Sequence, residues 1–295
     1  MRPSIALVTG GTDGVGKEIG LGLARAGVQV LVVGRSDDRG EAAARTIRTT
    51  TGNPHARFLH ADVSLASDAD RLVKTIIRDY PSLSYLVHSA GIVRGRRVLT
   101  SEGVESNFAT NYLGRFVLSV GLLPLLETSG SPDHRSRILI ISGAANGHVH
   151  FDDVNLTGRF GTLRAVLQFC QANDLFTVEL AQRLARAAER RVAITCLKLG
   201  VVKTNIRREF PAWMKWLVPL VLDPLMALSA SEAAGAALRL LQDPEFENTS
   251  GALFQLIRRF KPIAIPASVQ DPDARRRLWA LSETLAVAAR SHHRF

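Results

Sequence analysis

Glycines at positions 10, 14 and 16 stand in the run Thr9-Gly10-Gly11-Thr12-Asp13-Gly14-Val15-Gly16. The run directly follows an apolar stretch and directly precedes a helical one. Residues without Cβ atoms at this spacing let a backbone turn approach a pyrophosphate. The helix that follows supplies free N–H groups and the positive end of its dipole. A glycine turn alone is common, but one that follows a strand and opens a helix near the N-terminus points to a dinucleotide. Gly10, Thr12, Asp13, Gly14, Val15 and Gly16 are therefore the candidate phosphate cradle. Arg35 and Ser36 end the next apolar run, Val28–Gly34. A site for NAD(H) usually places an acid there. A guanidinium at that point instead fits a ribose 2′-phosphate in bidentate fashion. NADP(H) is thus expected over NAD(H), although the acid Asp13 would repel the extra phosphate.

Groups able to move a proton near such a site are few. His148 and His150 follow the fifth apolar run and Lys198 ends the sixth. A histidine titrates near neutrality and could shuttle a proton. Lys198 could act as an acid or hold an anionic substrate. The plainer alternatives are exposed loop histidines and a solvated lysine at a strand end. Cys170 reads as a core residue. Two cysteines, Cys170 and Cys196, are too few for a disulfide framework or a cysteine-rich zinc site. No cluster has metal-ligand spacing.

The elements that must position these residues alternate along the chain. Ile5–Thr9, Val28–Gly34, Arg57–Ala61, Tyr85–His88, Ile138–Ser142 and Val192–Leu197 are β-branched or apolar runs of strand length. Helical stretches lie between them, over Gly16–Ala26, Asp38–Thr50, Ser67–Asp79, Glu102–Leu126 and Ala165–Ala188. Repeated βα units with continuous apolar strands predict an α/β fold: one Rossmann-type, doubly wound parallel sheet with helices on both faces. No linker or internal repeat divides residues 1–295, so a single domain is expected. Residues 205–229 break the rhythm with an apolar, aromatic stretch interrupted by prolines. A helical substrate lid is expected there, with a packed helix pair or a membrane-surface helix as rivals. A helix Ser231–Leu241 and a C-terminal helix over about 271–290 follow.

Composition narrows the classes. With 46% hydrophobic and 22% charged residues the chain can bury a large core. The net charge of +10 comes mostly from scattered arginines without aromatic interleaving, which argues against nucleic acid and fits a coding bias. No run of about 18 uncharged apolar residues occurs, so no transmembrane segment is expected. A cytoplasmic location is the default expectation.

Several of these positions resemble the short-chain dehydrogenase/reductase (SDR) family, and its retinol-dehydrogenase-like branch in particular. The glycine loop has the family's spacing. Asp62-Val63 matches its adenine-binding pair, Ser89-Ala90-Gly91 its N-A-G turn, and Asn111 its structural and catalytic asparagine. Gly200-Val201-Val202-Lys203-Thr204 resembles the P-G-x-V-x-T segment that meets the nicotinamide, with Leu199 for proline. Gly200, Val202 and Thr204 are the implied contacts. The stretches 151–153, 250–254 and 276–285 resemble the branch. The resemblance implies a small-molecule substrate and a homodimer or homotetramer built through the long helices carrying Asn111 and Phe169, with a basic monomer as the alternative.

The family's proton chemistry rests on Y-x-x-x-K, and here the matching helix reads AVLQFCQANDLFTVEL. Phe169 aligns with the tyrosine and Asn173 with the lysine. Phenylalanine has no ionisable proton. Asparagine can bond a ribose but carries no charge to lower a neighbour's pKa. Ser142 matches the first of two strand-end serines and Gly143 the second, usually catalytic one. Ordinary alcohol oxidation or ketone reduction is therefore not expected. An iminium carbon or an activated double bond needs no phenol acid, which favours an atypical NADP(H)-dependent reductase of an apolar or aromatic substrate. The alternatives are a non-redox enzyme on the same scaffold (cyclase, dehydratase or isomerase) and a catalytically silent nucleotide-binding protein. Asn111, Ser142, Phe169, Asn173, His148 and Lys198 are the candidate catalytic positions.

Overall fold

The structure is a computed structural model that describes residues 4–186, 190–202 and 228–292. Its first half alternates β1 (Ile5–Thr9), α1 (Gly14–Arg25), β2 (Gln29–Gly34), α2 (Asp37–Thr51), β3 (Arg57–His60), α3 (Ala66–Asp79) and β4 (Tyr85–His88). Next, α4 (Ser106–Phe108) runs through a π turn, Ala109–Leu113, into α5 (Gly114–Ser129). β5 (Ser136–Gly143), α6 (Thr162–Ala185) and β6 (Val192–Leu199) follow. The described chain closes with α7 (Ala230–Gln242), β7 (Ala252–Leu256), β8 (Phe260–Ile263), the single turn α8 (Ala267–Gln270) and α9 (Pro272–His292).

The strands form one sheet in the order β3-β2-β1-β4-β5-β6-β7-β8. All neighbours are parallel except β7 and β8. The chain winds outward from β1 to β3, then crosses back to β4. Strand order therefore reverses between β1 and β4, where an open α/β sheet leaves a crevice at the carboxyl ends of its strands.

Side chains alternate across the sheet with period two. Ile5, Leu7, Leu31, Leu86 and Ile140 face the core shared with α3, α5, α6 and α9. Ala6, Val8, Val30, Val32 and Val87 face the one shared with α1, α2 and α7. All five residues of β1 are buried, so its sequence has no polar alternation. Each fully buried Val, Leu or Ile contributes about 1.5–3 kcal/mol.

The helix expected from Glu102 begins only at Ser106, because the acids before it have other partners. Glu102 accepts from the Ala66 and Ser67 N–H groups at the start of α3, at 2.6 and 2.9 Å. Glu105 caps α4 by accepting from Asn107 and Phe108, both at 3.0 Å. The antiparallel strand β8 carries Pro262, which a sheet tolerates at its edge. Helix Ser106–Ser129 is long and apolar enough to cross a membrane by length and composition, yet 72% of its apolar window is buried inside the protein. Of the proposed lid at 205–229, all but Leu228 and Ser229 lies outside the described residues. Leu228 donates to the Val201 carbonyl at 2.9 Å and Ser229 caps α7. Trp279 of α9 packs edge-on against Phe116 of α5 at 5.1 Å and lies 6.1 Å from Phe176 of α6. The C-terminal helix thus covers part of the helices named above as the route to a homodimer.

Candidate active site

A cavity of about 570 Å³ lies where the ends of β1 and β4–β6 meet the loops that follow them. Gly10, Thr12, Asp13, Gly14 and Val15 line it. Gly10 holds φ +67°, and a Cβ there would stand 2.7 Å from the Ala90 backbone. Gly16 does not line the cavity. Its missing Cβ, which would sit 2.4 Å from the Gly10 carbonyl, lets α1 start hard against the loop. Asp13 caps α1 by accepting from the Gly14 N–H at 2.8 Å, so its carboxylate already meets the helix end that an anion would use.

Arg35 lines the cavity, and so does Arg39 of α2, which the sequence did not single out. Arg35 reaches Asp62 at 3.6 Å but its side chain is 54% exposed, so this pair is weak and the guanidinium is open to a better anion. Ser36, Asp62 and Val63 are not among the lining residues. Ser36 stands at the N-cap of α2. Asp62 is occupied with the Ser64 N–H and hydroxyl at 2.9 and 2.7 Å. The Val63 carbonyl packs where a Cβ on Gly114 would fall, 2.0 Å away. Ser89, Ala90, Gly91, Gly200 and Val202 line the cavity as expected, while Thr204 lies outside the described residues.

At the opposite end Asn111 sits in the π turn, and its amide is committed. It donates to the Ile92 and Asn107 carbonyls, both at 2.8 Å, and accepts from the Ile92 N–H at 3.2 Å. The residue lines the cavity as a clamp on the β4 loop. Asn173 does not line it. It is fully buried, and its amide donates to the carbonyls of Asn111 at 3.0 Å and Phe169 at 2.7 Å. It therefore cannot meet a ribose as expected, because tertiary packing has taken its donors. Phe169 lines the cavity and is 6% exposed. Cys170 is core, as expected, and its Sγ would stand 3.1 Å from a Cβ on Gly143. Ser142 lines the cavity, which settles its face of the strand. Its hydroxyl makes no well-formed hydrogen bond among the described residues, although it lies near enough to the Cys170 thiol to ease that group's burial-raised pKa.

Three candidate acids fall away. Lys198 neither lines the cavity nor is solvated. It pairs with the buried Asp174 of α6 and donates to Asn146 at 3.2 Å. Burial pushes the Asp174 carboxyl up to about 6 against the pull of Lys198. His148 is exposed and outside the lining, and His150, also outside it, accepts from Arg164 at 2.9 Å. Burial and the Arg164 charge hold His150 below the usual histidine range. Among the described residues no group of His, Cys, Asp and Glu could hold a metal ion.

Arg115 is the residue that sequence reasoning missed. It lines the cavity from α5 and is 5% exposed. Its guanidinium donates to the carbonyls of Ile141 at 2.7 Å and Ala90 at 2.8 Å, and to Asn173 Oδ1 at 3.3 Å. The available signal was a lone charge inside the apolar run GRFVLSVGLLPLL, one helical turn after Asn111. Among the described residues the ionisable groups lining the cavity are Asp13 and the arginines 35, 39, 94 and 115, with no tyrosine, lysine, histidine or cysteine.

A doubly wound sheet with a glycine turn at its switch point defines a Rossmann-type nucleotide-binding protein. Residues 4–155 match the model of the short chain dehydrogenase family. Human retinol dehydrogenase 13 is 32% identical over 95% of this chain and 83% of its own length. Human polyprenol dehydrogenase is 31% identical over 85% of this chain and 76% of its own. A short chain dehydrogenase from Burkholderia cenocepacia, solved in complex with NADP, shares the fold with a TM-score of 0.66 at 20% identity, covering 85% of this chain and 95% of that one. The chain belongs to the short-chain dehydrogenase family, on its retinol-dehydrogenase-like side.

Proposed function

We propose that this protein binds NADP(H) and reduces an apolar or aromatic small molecule whose acceptor carbon takes hydride without a phenol acid. An activated double bond or an iminium carbon is such an acceptor, and a simple ketone is not. The observation that carries the reading is the lining itself. Gly10 and Gly14, both at positive φ, line the cavity with the start of α1 as a backbone cradle, and Arg35 and Arg39 offer charge for a 2′-phosphate. At the other end Phe169, which the sequence aligns with the family's tyrosine, lines the cavity among the apolar Ile92, Val93, Val166 and Leu199.

When bound, NADPH supplies two electrons as hydride. The chain's own residues orient and enclose. Asn111 fixes the β4 loop and Phe169 presents an apolar surface to the substrate. The solved neighbour crystallised with NADP and the relatives named for retinol and polyprenol support the cofactor and the apolar substrate.

Titrating the protein with NADPH and NADH, followed by cofactor fluorescence, tests the first half. Binding of neither removes the reading. One NADPH oxidised per product formed is expected for the second half. Turnover without cofactor oxidation would assign the site to non-redox chemistry.

A further inference from the structure

Arg115 enters an apolar helix, is 95% buried, and still carries no ion pair among the described residues. Its partners among the described residues are neutral: the carbonyls of Ile141 and Ala90 and the amide oxygen of Asn173. A guanidinium has five N–H donors. The Nε–H is buried and has no acceptor among the described residues. The nearby acids and thiols do not serve. Asp174 is held by Lys198, and burial pushes the Cys170 and Cys196 thiols upward, so they stay neutral. Burial draws the Arg115 pKa down to about 10, which leaves it charged at neutral pH.

A charge buried without a counter-ion is costly and is ordinarily paired. Here the unpaired cation lines the very cavity proposed to hold the substrate. Asn173 shows how it is supported. The position that would carry the family's lysine holds a neutral amide, and that amide's oxygen accepts from Arg115. The positive charge has thus moved from one helix to its neighbour. With Phe169 in the tyrosine position there is no phenol for the cation to acidify, which leaves it free to act on the substrate.

We propose that Arg115 is a catalytic residue that binds a substrate carbonyl oxygen as it becomes anionic, and that the substrates are conjugated carbonyl compounds rather than iminium ions. This rests on the NADP(H)-dependent reductase reading. Uptake of hydride at the β-carbon of a C=C–C=O unit moves the π electrons to oxygen and gives an enolate. The α-carbon then takes a proton from water, and the C=O bond reforms. One hydride and one proton are consumed per double bond, and no protein acid is required. A fixed donor within reach of developing oxyanion charge is an effective stabiliser, and the three hydrogen bonds leave one terminal N–H of the Arg115 guanidinium for it. An iminium ion in the same place would meet a like charge in a low dielectric.

Benzoate and benzamide, alike in shape and different in charge, probe the cation without turnover. Their binding is measured by calorimetry with and without NADP⁺. The wild-type protein is expected to bind benzoate about tenfold or more tightly than benzamide. Arg115→Gln should erase the preference and Arg115→Lys should keep part of it. Asn173→Asp, which places a carboxylate beside the guanidinium without removing it, should erase it too, and so serves if Arg115→Gln does not fold. Equal wild-type affinities, absence of benzoate binding, or a preference that survives both Arg115→Gln and Asn173→Asp overturns the proposal. Benzoate selectivity without any nicotinamide binding would support the anion site and sink the reductase reading on its own.

Discussion

The two ends of one cleft are built from different materials. At the β1–α1 end the chain offers backbone: Gly10 at positive φ, Gly14, and the first turn of a helix, with side chains added at the margin by Arg35 and Arg39. At the β5–α6 end it offers side chains: Ser142, Phe169 and Arg115. A backbone cradle depends on the absence of Cβ atoms, so few residue types can occupy it. A side-chain constellation can be rewritten wherever a neighbour supplies an equivalent contact. The first end therefore keeps the glycines that a nucleotide cradle requires, while the second presents no phenol, lysine or imidazole among the described lining residues.

The largest effect should come from breaking the backbone end. Gly10→Val forces a β-branched residue into φ +67° with its Cβ 2.7 Å from Ala90. It should abolish NADPH binding in the fluorescence titration and lower stability by several kcal/mol. Gly27→Ala is the control. Gly27 also has positive φ, at +79°, but nothing lies within 4 Å of the added atom. Its cost should stay near ~1 kcal/mol with binding intact.

At the other end, Asn173→Lys should destabilise more than most core changes. It would bury a second cation against Arg115, in a site where the amide now accepts from that guanidinium at 3.3 Å. A loss of about 3–5 kcal/mol is expected in urea unfolding. Adding Arg115→Gln should return much of it, a coupling that additive effects would not give. Combining Phe169→Tyr with Asn173→Lys while keeping Arg115 should therefore destabilise the fold as well.

The Asp174–Lys198 pair gives a pH signature beneath that end. The Asp174 carboxyl is raised from 3.8 to about 6 in the folded protein, chiefly by burial. The folded state then holds a proton that the unfolded state has released. Stability from this group is full below about pH 4 and falls as pH rises toward 6. Thermal melts of wild type and Asp174→Asn across that window should differ in slope, whatever the overall cost of leaving Lys198 unpaired.

Returning to the cofactor end, Arg35→Ala and Arg39→Ala should each weaken NADPH by roughly tenfold and leave NADH nearly unchanged, since both guanidiniums are expected to meet only the 2′-phosphate. A loss shared equally by both nucleotides would place them on the common pyrophosphate.

The glycine turn was legible because its requirement is local: strand, turn and helix are adjacent in the chain. The sheet was legible for the same reason, through continuous apolar runs. Lys198 was not. A lysine ending a strand looks the same in sequence whether it meets water or an acid 24 residues earlier, and the Asp174 partner depends on how α6 lies on β6. Asn173 and Asp62 were placed near the right ends but with their hydrogen bonds already taken by Phe169, Asn111 and Ser64. Arg115 stood in plain sight inside an apolar helix, yet one arginine among many scattered ones read as compositional bias. Arg137 makes the same point, being buried and bonded to the carbonyls of Leu240 and Phe246 and to Glu247.

The smallest expected effect reads the field at the side-chain end directly. Phe169→Tyr adds one hydroxyl at a residue that already lines the cavity, so the change in stability should stay within about 1 kcal/mol. The new phenol then reports its surroundings through its ultraviolet titration. Burial should raise its pKa, as it raises that of Tyr112, while a nearby cation should lower it. Arg115 reaches position 169 through a single amide, donating to Asn173 Oδ1 while Asn173 Nδ2 donates to the Phe169 carbonyl. The difference between Phe169→Tyr and Phe169→Tyr with Arg115→Gln cancels the burial common to both and leaves the charge. The phenol should titrate about one unit lower when Arg115 is present. Identical titrations would mean that the cation does not project into the cavity, and the comparison between the two ends would lose its electrostatic half.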